Sequence, residues 1–235
     1  MNPLLFRLFR ANETKVHELN YLFWECTTRC MLRCRHCGSD CSVQSREKDM
    51  PLEDFLGALD TIPADHRPRD FSVVLTGGEP LLRKDITDFL KRIRALGFAV
   101  KLDTNGNHPE ELKALLAAGL LDYVAMDIKN SPGRYAETVG LETFDIQPVD
   151  RSIRLLINQS VPYEFRTTVV RPFHDEASFS AIGPWIAGAA QYFLQEFVDR
   201  DTVPCAGLSG FSKEEMEAFV EKVRPFVENT AIRGQ

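Results

Sequence analysis

The sequence predicts an α/β fold: a parallel sheet with helices outside it. Two observations carry this. Short apolar, β-branched runs alternate with longer amphipathic segments about six times along the chain, and parallel strands need crossovers of that length. The polar and glycine-rich motifs all fall just after predicted strands, and in such sheets ligands bind at the carboxyl ends of the strands. At 235 residues the chain fits one domain, 1–235, with no internal repeat and no linker rich in Pro, Gly or Ser.

The elements follow in order. Residues 20–25 (Asn-Tyr-Leu-Phe-Trp-Glu) form the first strand, which runs into a cysteine-rich loop. Residues 51–61 predict a helix, with Asp49 as a start signal and Pro51 in the first turn. Residues 71–76 are an apolar strand ended by Gly77-Gly78. Ile86, Phe89, Leu90, Ile93 and Leu96 recur at helical spacing, so 85–96 is a helix, and Gly97 stops it. Residues 98–103 are a strand closed by Asn105-Gly106, 109–118 a helix and 121–128 a strand. A long loop then runs to about residue 150. After it come a helix at 151–159, a strand at 163–170, a helix at 175–187 and a strand at 191–197. Ser212 and Glu215 have the spacing of a capping box for the last long helix, and 227–233 reads as a closing strand.

Composition narrows the function. A formal net charge of −6 argues against nucleic acid as the main partner, which needs a basic face. No apolar run is long enough to span a membrane. The first ten residues are apolar but broken by arginines and lack a small-residue cleavage site, so they make a poor signal peptide. The expected location is the cytoplasm, where clustered thiols favour metal over disulfides.

The chemistry concentrates in Cys30, Cys34 and Cys37, spaced C-x3-C-x2-C. Three thiolates on one loop cannot complete a tetrahedral site, but they suit a [4Fe–4S] cube with one iron left open to a small molecule. A zinc knuckle is the alternative: structural zinc normally takes four ligands, and Cys26, His36 and Cys41 lie close by in sequence. Gly77 and Gly78 let the backbone approach a ligand and supply amide donors; the plain alternative is a tight turn shaped by Pro80. Asn105-Gly106 is likewise a common turn pair. Arg166 sits among apolar strand neighbours, which is costly unless it is paired or points to a ligand. His174 reads as a residue that caps or packs the following helix.

Cys30-x3-Cys34-x2-Cys37, followed by Thr76-Gly77-Gly78-Glu79-Pro80, resembles the radical S-adenosylmethionine (SAM) superfamily, and the likeness runs across nearly the whole chain. The resemblance implies a partial (βα)6 barrel, a single [4Fe–4S] cluster on the three cysteines and SAM at the open iron. It implies reductive cleavage of SAM to methionine and a 5′-deoxyadenosyl radical, which takes a hydrogen atom from the substrate. The cofactor carries the hard chemistry, and the protein orients it. Glu79 would meet the methionine ammonium of SAM.

Lys101-Leu-Asp-Thr-Asn-Gly106 and Ala125-Met-Asp-Ile-Lys129 are similar to paired motifs in activating enzymes of glycyl-radical proteins. That implies an approach of Asp103, Thr104, Asp127 and Lys129 to SAM, with a monovalent cation nearby; the alternative is an Asp–Lys pair packed at the sheet end. From about residue 90 onward the chain resembles activating proteins of anaerobic ribonucleoside-triphosphate reductase, through 101–106, 121–129, 166–176 and 231–234. The implied partners are that glycyl-radical enzyme and an electron donor of flavodoxin or ferredoxin type. The short chain shows no C-terminal cluster domain, as expected of a barrel mouth that admits a partner's glycine loop.

The first third departs from this. Cys34-Arg-His-Cys-Gly-Ser-Asp-Cys41 and Leu22-Phe-Trp-Glu25 are more like radical SAM proteins that modify peptides or build cofactors. Three functions therefore stay open: a glycyl-radical activase, a radical SAM enzyme for a peptide or small molecule, and a non-enzymatic iron–sulfur or zinc module. Cys26 and Cys41 read as bystanders near the cluster, Cys205 alone does not make a second cluster segment, and residues 199–211 carry no signal.

Overall fold

Alternation along the strands sets the architecture. The computed structural model describes residues 21–39, 41, 48–61 and 72–234; position 20 of the first predicted strand, position 71 of the second and the first ten residues weighed as a signal peptide lie outside these. Seven strands pair in chain order, every pair parallel: β1 (Tyr21–Thr27), β2 (Ser72–Gly77), β3 (Ala99–Thr104), β4 (Tyr123–Asp127), β5 (Tyr163–Val169), β6 (Tyr192–Glu196) and β7 (Thr230–Arg233). The six expected βα units are present, and the predicted closing strand is the seventh, shortened to its last four residues. Among the described residues β1 and β7 do not pair, which leaves the barrel open on that side.

Crossover helices α1 (Leu52–Asp60), α2 (Ile86–Ala95) and α3 (Pro109–Ala117) follow the first three strands. The expected loop up to residue 150 holds structure instead. It contains a 3₁₀ turn (Pro132–Arg134), the one-turn α4 (Tyr135–Thr138) and the start of α5 (Gln147–Ile157), four residues earlier than periodicity predicts. Pro148 explains the early start: in a first turn its missing N–H has no helical partner to lose. Asp49 does not cap α1; its carboxylate pairs with Arg29 and lies 4.0 Å from Arg83. The capping box at Ser212 and Glu215 does open α7 (Lys213–Val223), and Asp175 with Ser178 makes a second one for α6 (Glu176–Trp185).

Successive strand residues point to opposite faces. One set (Trp24, Cys26, Val73, Leu75, Val100, Leu102, Val124, Met126, Phe165 and Leu194) is buried in the core shared with the helices. Trp24, Phe55 of α1 and Phe89 of α2 stack there, with ring centroids 4.2–5.4 Å apart. By register the other set contains Thr76, Lys101, Asp103, Asp127, Glu164, Arg166, Thr168, Gln195 and Arg233. The inner face of the barrel thus carries polar and charged side chains among apolar ones such as Val74, Ala125 and Phe193. Among the described residues no helix is long and apolar enough to cross a membrane.

Candidate active site at the carboxyl ends of the strands

The cysteine loop leaves β1 and is fastened at three points. At its root, the Gly78 amide donates to the Thr27 carbonyl (2.7 Å) and the Glu79 amide to the Arg29 carbonyl (2.8 Å). A Cβ at Gly78 would lie 2.1 Å from the Arg29 oxygen, and one at Gly77 (φ +109°) 2.5 Å from the Thr27 oxygen. The glycine pair therefore serves the close approach of two backbones, and the Gly78 amide, one of the two expected to face a ligand, is taken by the loop. In its middle, Arg33 N–H donates to Val139 (2.9 Å), and Gly140 (φ +69°) sits where a Cβ would be 2.3 Å from the Arg33 carbonyl. At its far side, the Thr202 hydroxyl donates to the Gly38 carbonyl (2.8 Å). Residues 199–211, silent in the sequence, reach the loop through that bond.

The loop covers a cavity of about 200 Å³ lined by Cys30, Cys34 and Cys37 together with Gly77, Gly78, Asp103, Thr104, Asp127, Lys129 and Arg166. Ten of the twelve predicted site residues thus converge on one space. Three thiols on a shared wall, none in a disulfide, are the donor set an iron–sulfur cluster requires. Burial pushes the Cys34 thiol up to about 12 and raises Cys30, while the nearby Lys129 cation draws both down. A hydrogen bond from Cys41 brings Cys37 down to about 5 and raises Cys41 itself.

Opposite the thiols lies an ionic chain. Lys129 Nζ is 2.7 Å from Asp127 Oδ2, Arg166 Nε donates to Asp127 Oδ1, and Arg166 Nη2 is 3.1 Å from Asp103. Burial would raise the Asp127 carboxyl, but Arg166 and Lys129 outweigh it and hold it well below the usual range. The same pairing keeps Lys129 and Arg166 charged despite their burial. Asp103 is raised by burial, and its buried Oδ1 has no hydrogen-bond partner; Lys101 Nζ lies 3.9 Å from that oxygen. Arg166 and Lys129 already supply the positive charge that a monovalent cation would bring to these carboxylates.

Glu79 and Pro80 are not on the cavity wall. Glu79 is fully buried behind it and accepts hydrogen bonds from Leu81 N (3.1 Å), Thr104 Oγ1 (2.9 Å) and Asn105 N (2.8 Å). It ties the end of β2 to the end of β3 instead of facing the cavity. His174 is also internal: its ring nitrogens meet Val170 and the Lys129 carbonyl (3.0 Å), and burial lowers it to about 4, so it is neutral. Cys26 is buried on the outer face, and Cys205 packs in a separate cluster with Val170, Phe173 and Leu208.

Thr76 and Thr168, given no site role from the sequence, also line the cavity, as do Asn105, expected only in a turn, and His36, expected only as an alternative zinc ligand. Thr168 had a signal, since it is two residues past Arg166 on the same strand face. Val139-Gly140 had none, because its role arises from contact with a distant loop.

Known proteins bear on this site. A glycyl-radical enzyme activating enzyme of Methanocaldococcus jannaschii, so named provisionally, is 28% identical over 211 residues, covering 87% of this chain and 85% of that protein. Pre-heme d1 synthase of Dinoroseobacter shibae is 37% identical over 109 residues, 46% of this chain and 26% of the relative. Among solved structures, Streptococcus suis SuiB bound to its precursor peptide SuiA superposes with a TM-score of 0.72 at 13% identity, over 92% of this chain and 49% of SuiB. A domain of pyruvate-formate lyase-activating enzyme from Bacteroides vulgatus gives 0.56 at 18% identity, over 69% of this chain and 98% of that domain. These structural likenesses carry the fold. The radical SAM superfamily model matches residues 24–179, so the chain belongs to that superfamily and works with a [4Fe–4S] cluster and SAM.

Proposed function

We propose that this chain is a glycyl-radical activase: it cleaves SAM reductively and removes a hydrogen atom from a glycine of a partner enzyme, an anaerobic ribonucleotide reductase. The observation that carries this reading is the likeness to the Methanocaldococcus jannaschii protein, which extends over 87% of this chain and 85% of that one. Cys30, Cys34 and Cys37 would hold the cluster, which when bound supplies one electron to the sulfonium of SAM. Lys129 offsets the charge of the thiolates, as its effect on Cys30 and Cys34 indicates. The Asp127–Lys129–Arg166 chain and the unpartnered Asp103 Oδ1 would orient the polar groups of SAM. Gly77 and Gly78 would shape the floor, while Glu79 and Pro80 would hold it from behind. The six free cysteines fit a reducing cytoplasm, and the electron would come from a donor of flavodoxin or ferredoxin type.

A second reading, a radical SAM enzyme acting on a peptide or small molecule, draws on the 109-residue likeness to pre-heme d1 synthase. One experiment separates the two. The anaerobically reconstituted protein is incubated with SAM, a reductant and a reductase carrying a C-terminal glycyl-radical site. A glycine-centred radical in the spin-resonance spectrum supports activation; SAM cleavage with no radical on the reductase supports the second reading. Cys34→Ala should abolish SAM cleavage and leave the circular-dichroism spectrum unchanged, and retained cleavage would refute the cluster assignment.

A further inference from the structure

Asn105 is more than a turn residue, because three separate bonds fix it. It is 5% exposed and stands on the cavity wall. Its backbone N–H donates to Glu79 Oε2 (2.8 Å), which anchors its main chain to a buried carboxylate. Its side-chain Oδ1 accepts from Asn107 N–H (2.9 Å), and this fixes which way the amide faces. With the oxygen held by that bond, the NH2 group turns the other way. There Nδ2 lies 3.7 Å from Cys30 Sγ, within reach of an N–H···S hydrogen bond.

We propose that Asn105 sets the reduction potential of the cluster by donating this hydrogen bond to the Cys30 sulfur. The inference rests on Cys30 being a cluster ligand. A donor beside a thiolate ligand stabilises added negative charge, so it favours the reduced cluster over the oxidised one. Asn105 acts through Cys30 and is thus a positioning residue. Its rigidity matters: an amide fixed by its own turn keeps the same donor in both oxidation states.

The test uses the reconstituted protein and a redox titration followed by spin resonance. Asn105→Ser keeps a turn-forming oxygen at this position but lacks the amide donor; Asn105→Ala lacks both. In each, the potential should fall, with a change of about tenfold in the reduced-to-oxidised ratio at fixed potential, or about 59 mV for one electron. Four irons per chain and an unchanged circular-dichroism spectrum would show that fold and cluster persist. Wild-type potential in Asn105→Ser would overturn the proposal and leave the residue as a turn former. A second measurement needs no variant: wild-type protein carrying ¹⁵N in its asparagine amides should show a ¹⁵N coupling to the reduced cluster, and its absence would also overturn the proposal. Wild-type protein that takes up no iron–sulfur cluster would instead bring down the coordination reading itself, and this inference with it.

Discussion

Glu79 shows how far a residue's environment can move its role from the one its motif suggests. The carboxylate lies fully buried between β2 and β3, where burial raises it from 4.5 to about 7 against the hydrogen bonds it accepts. The folded state therefore holds this proton at pH values where the unfolded chain has lost it. Stability attributable to Glu79 is complete below pH 4.5 and declines as the pH rises through about 7. The decline should be about 3 kcal/mol at most, from 1.36 kcal/mol per pH unit of separation. Chemical denaturation of the cluster-free protein between pH 5 and 8 should show it, and Glu79→Gln should flatten the curve. A wild-type slope no steeper than the variant's would contradict the assignment.

At the scale of elements, the site depends on loops pressed together as much as on strands. Gly78→Ala puts a methyl group 2.1 Å from the Arg29 carbonyl, so the cysteine loop must move. The expected cost is about 1–3 kcal/mol of stability, together with reduced iron uptake on anaerobic reconstitution; full iron content would show that the loop tolerates the shift. Ser212→Ala serves as the contrast. It removes the hydroxyl that accepts from Glu215 N–H at the start of α7 and should cost about 1 kcal/mol. Because neither Ser212 nor Glu215 lines the cavity, iron content should not change. Loop and cap thus separate in a pair of measurements, iron per chain and the midpoint of denaturation.

On the whole-molecule scale, seven parallel strands bring their carboxyl ends to one rim, where residues from 30 to 168 share a cavity. The ionic chain continues below the rim on the same face: Lys101 lies 3.8 Å from Glu164, and Arg233 of the last strand is 2.7 Å from that carboxylate. The third, fifth and last strands are thereby coupled through the barrel interior. SAM bound at the rim should stabilise the whole domain, by about 2.7 kcal/mol at one hundred times its dissociation constant. Anaerobic thermal denaturation should show the rise in the cluster-loaded protein and none in Cys34→Ala; an equal rise in both would place SAM elsewhere.

The sequence by itself determined the parallel α/β order, the closing strand, the α7 capping box and the C-x3-C-x2-C loop after the first strand. These are local matters: periodicity, turn chemistry and residue spacing are written in neighbouring positions. That Asp103, Asp127 and Lys129 join the cysteines was implied only by the family resemblance, and the assembled strands bring them together. Tertiary structure alone decided that Asp49 pairs with Arg29 instead of capping α1, that Glu79 turns away from the cavity and that Gly140 and Thr202 brace the cysteine loop. Each of those depends on which distant backbone lies within a few ångströms, and packing fixes that distance only after the strands have assembled.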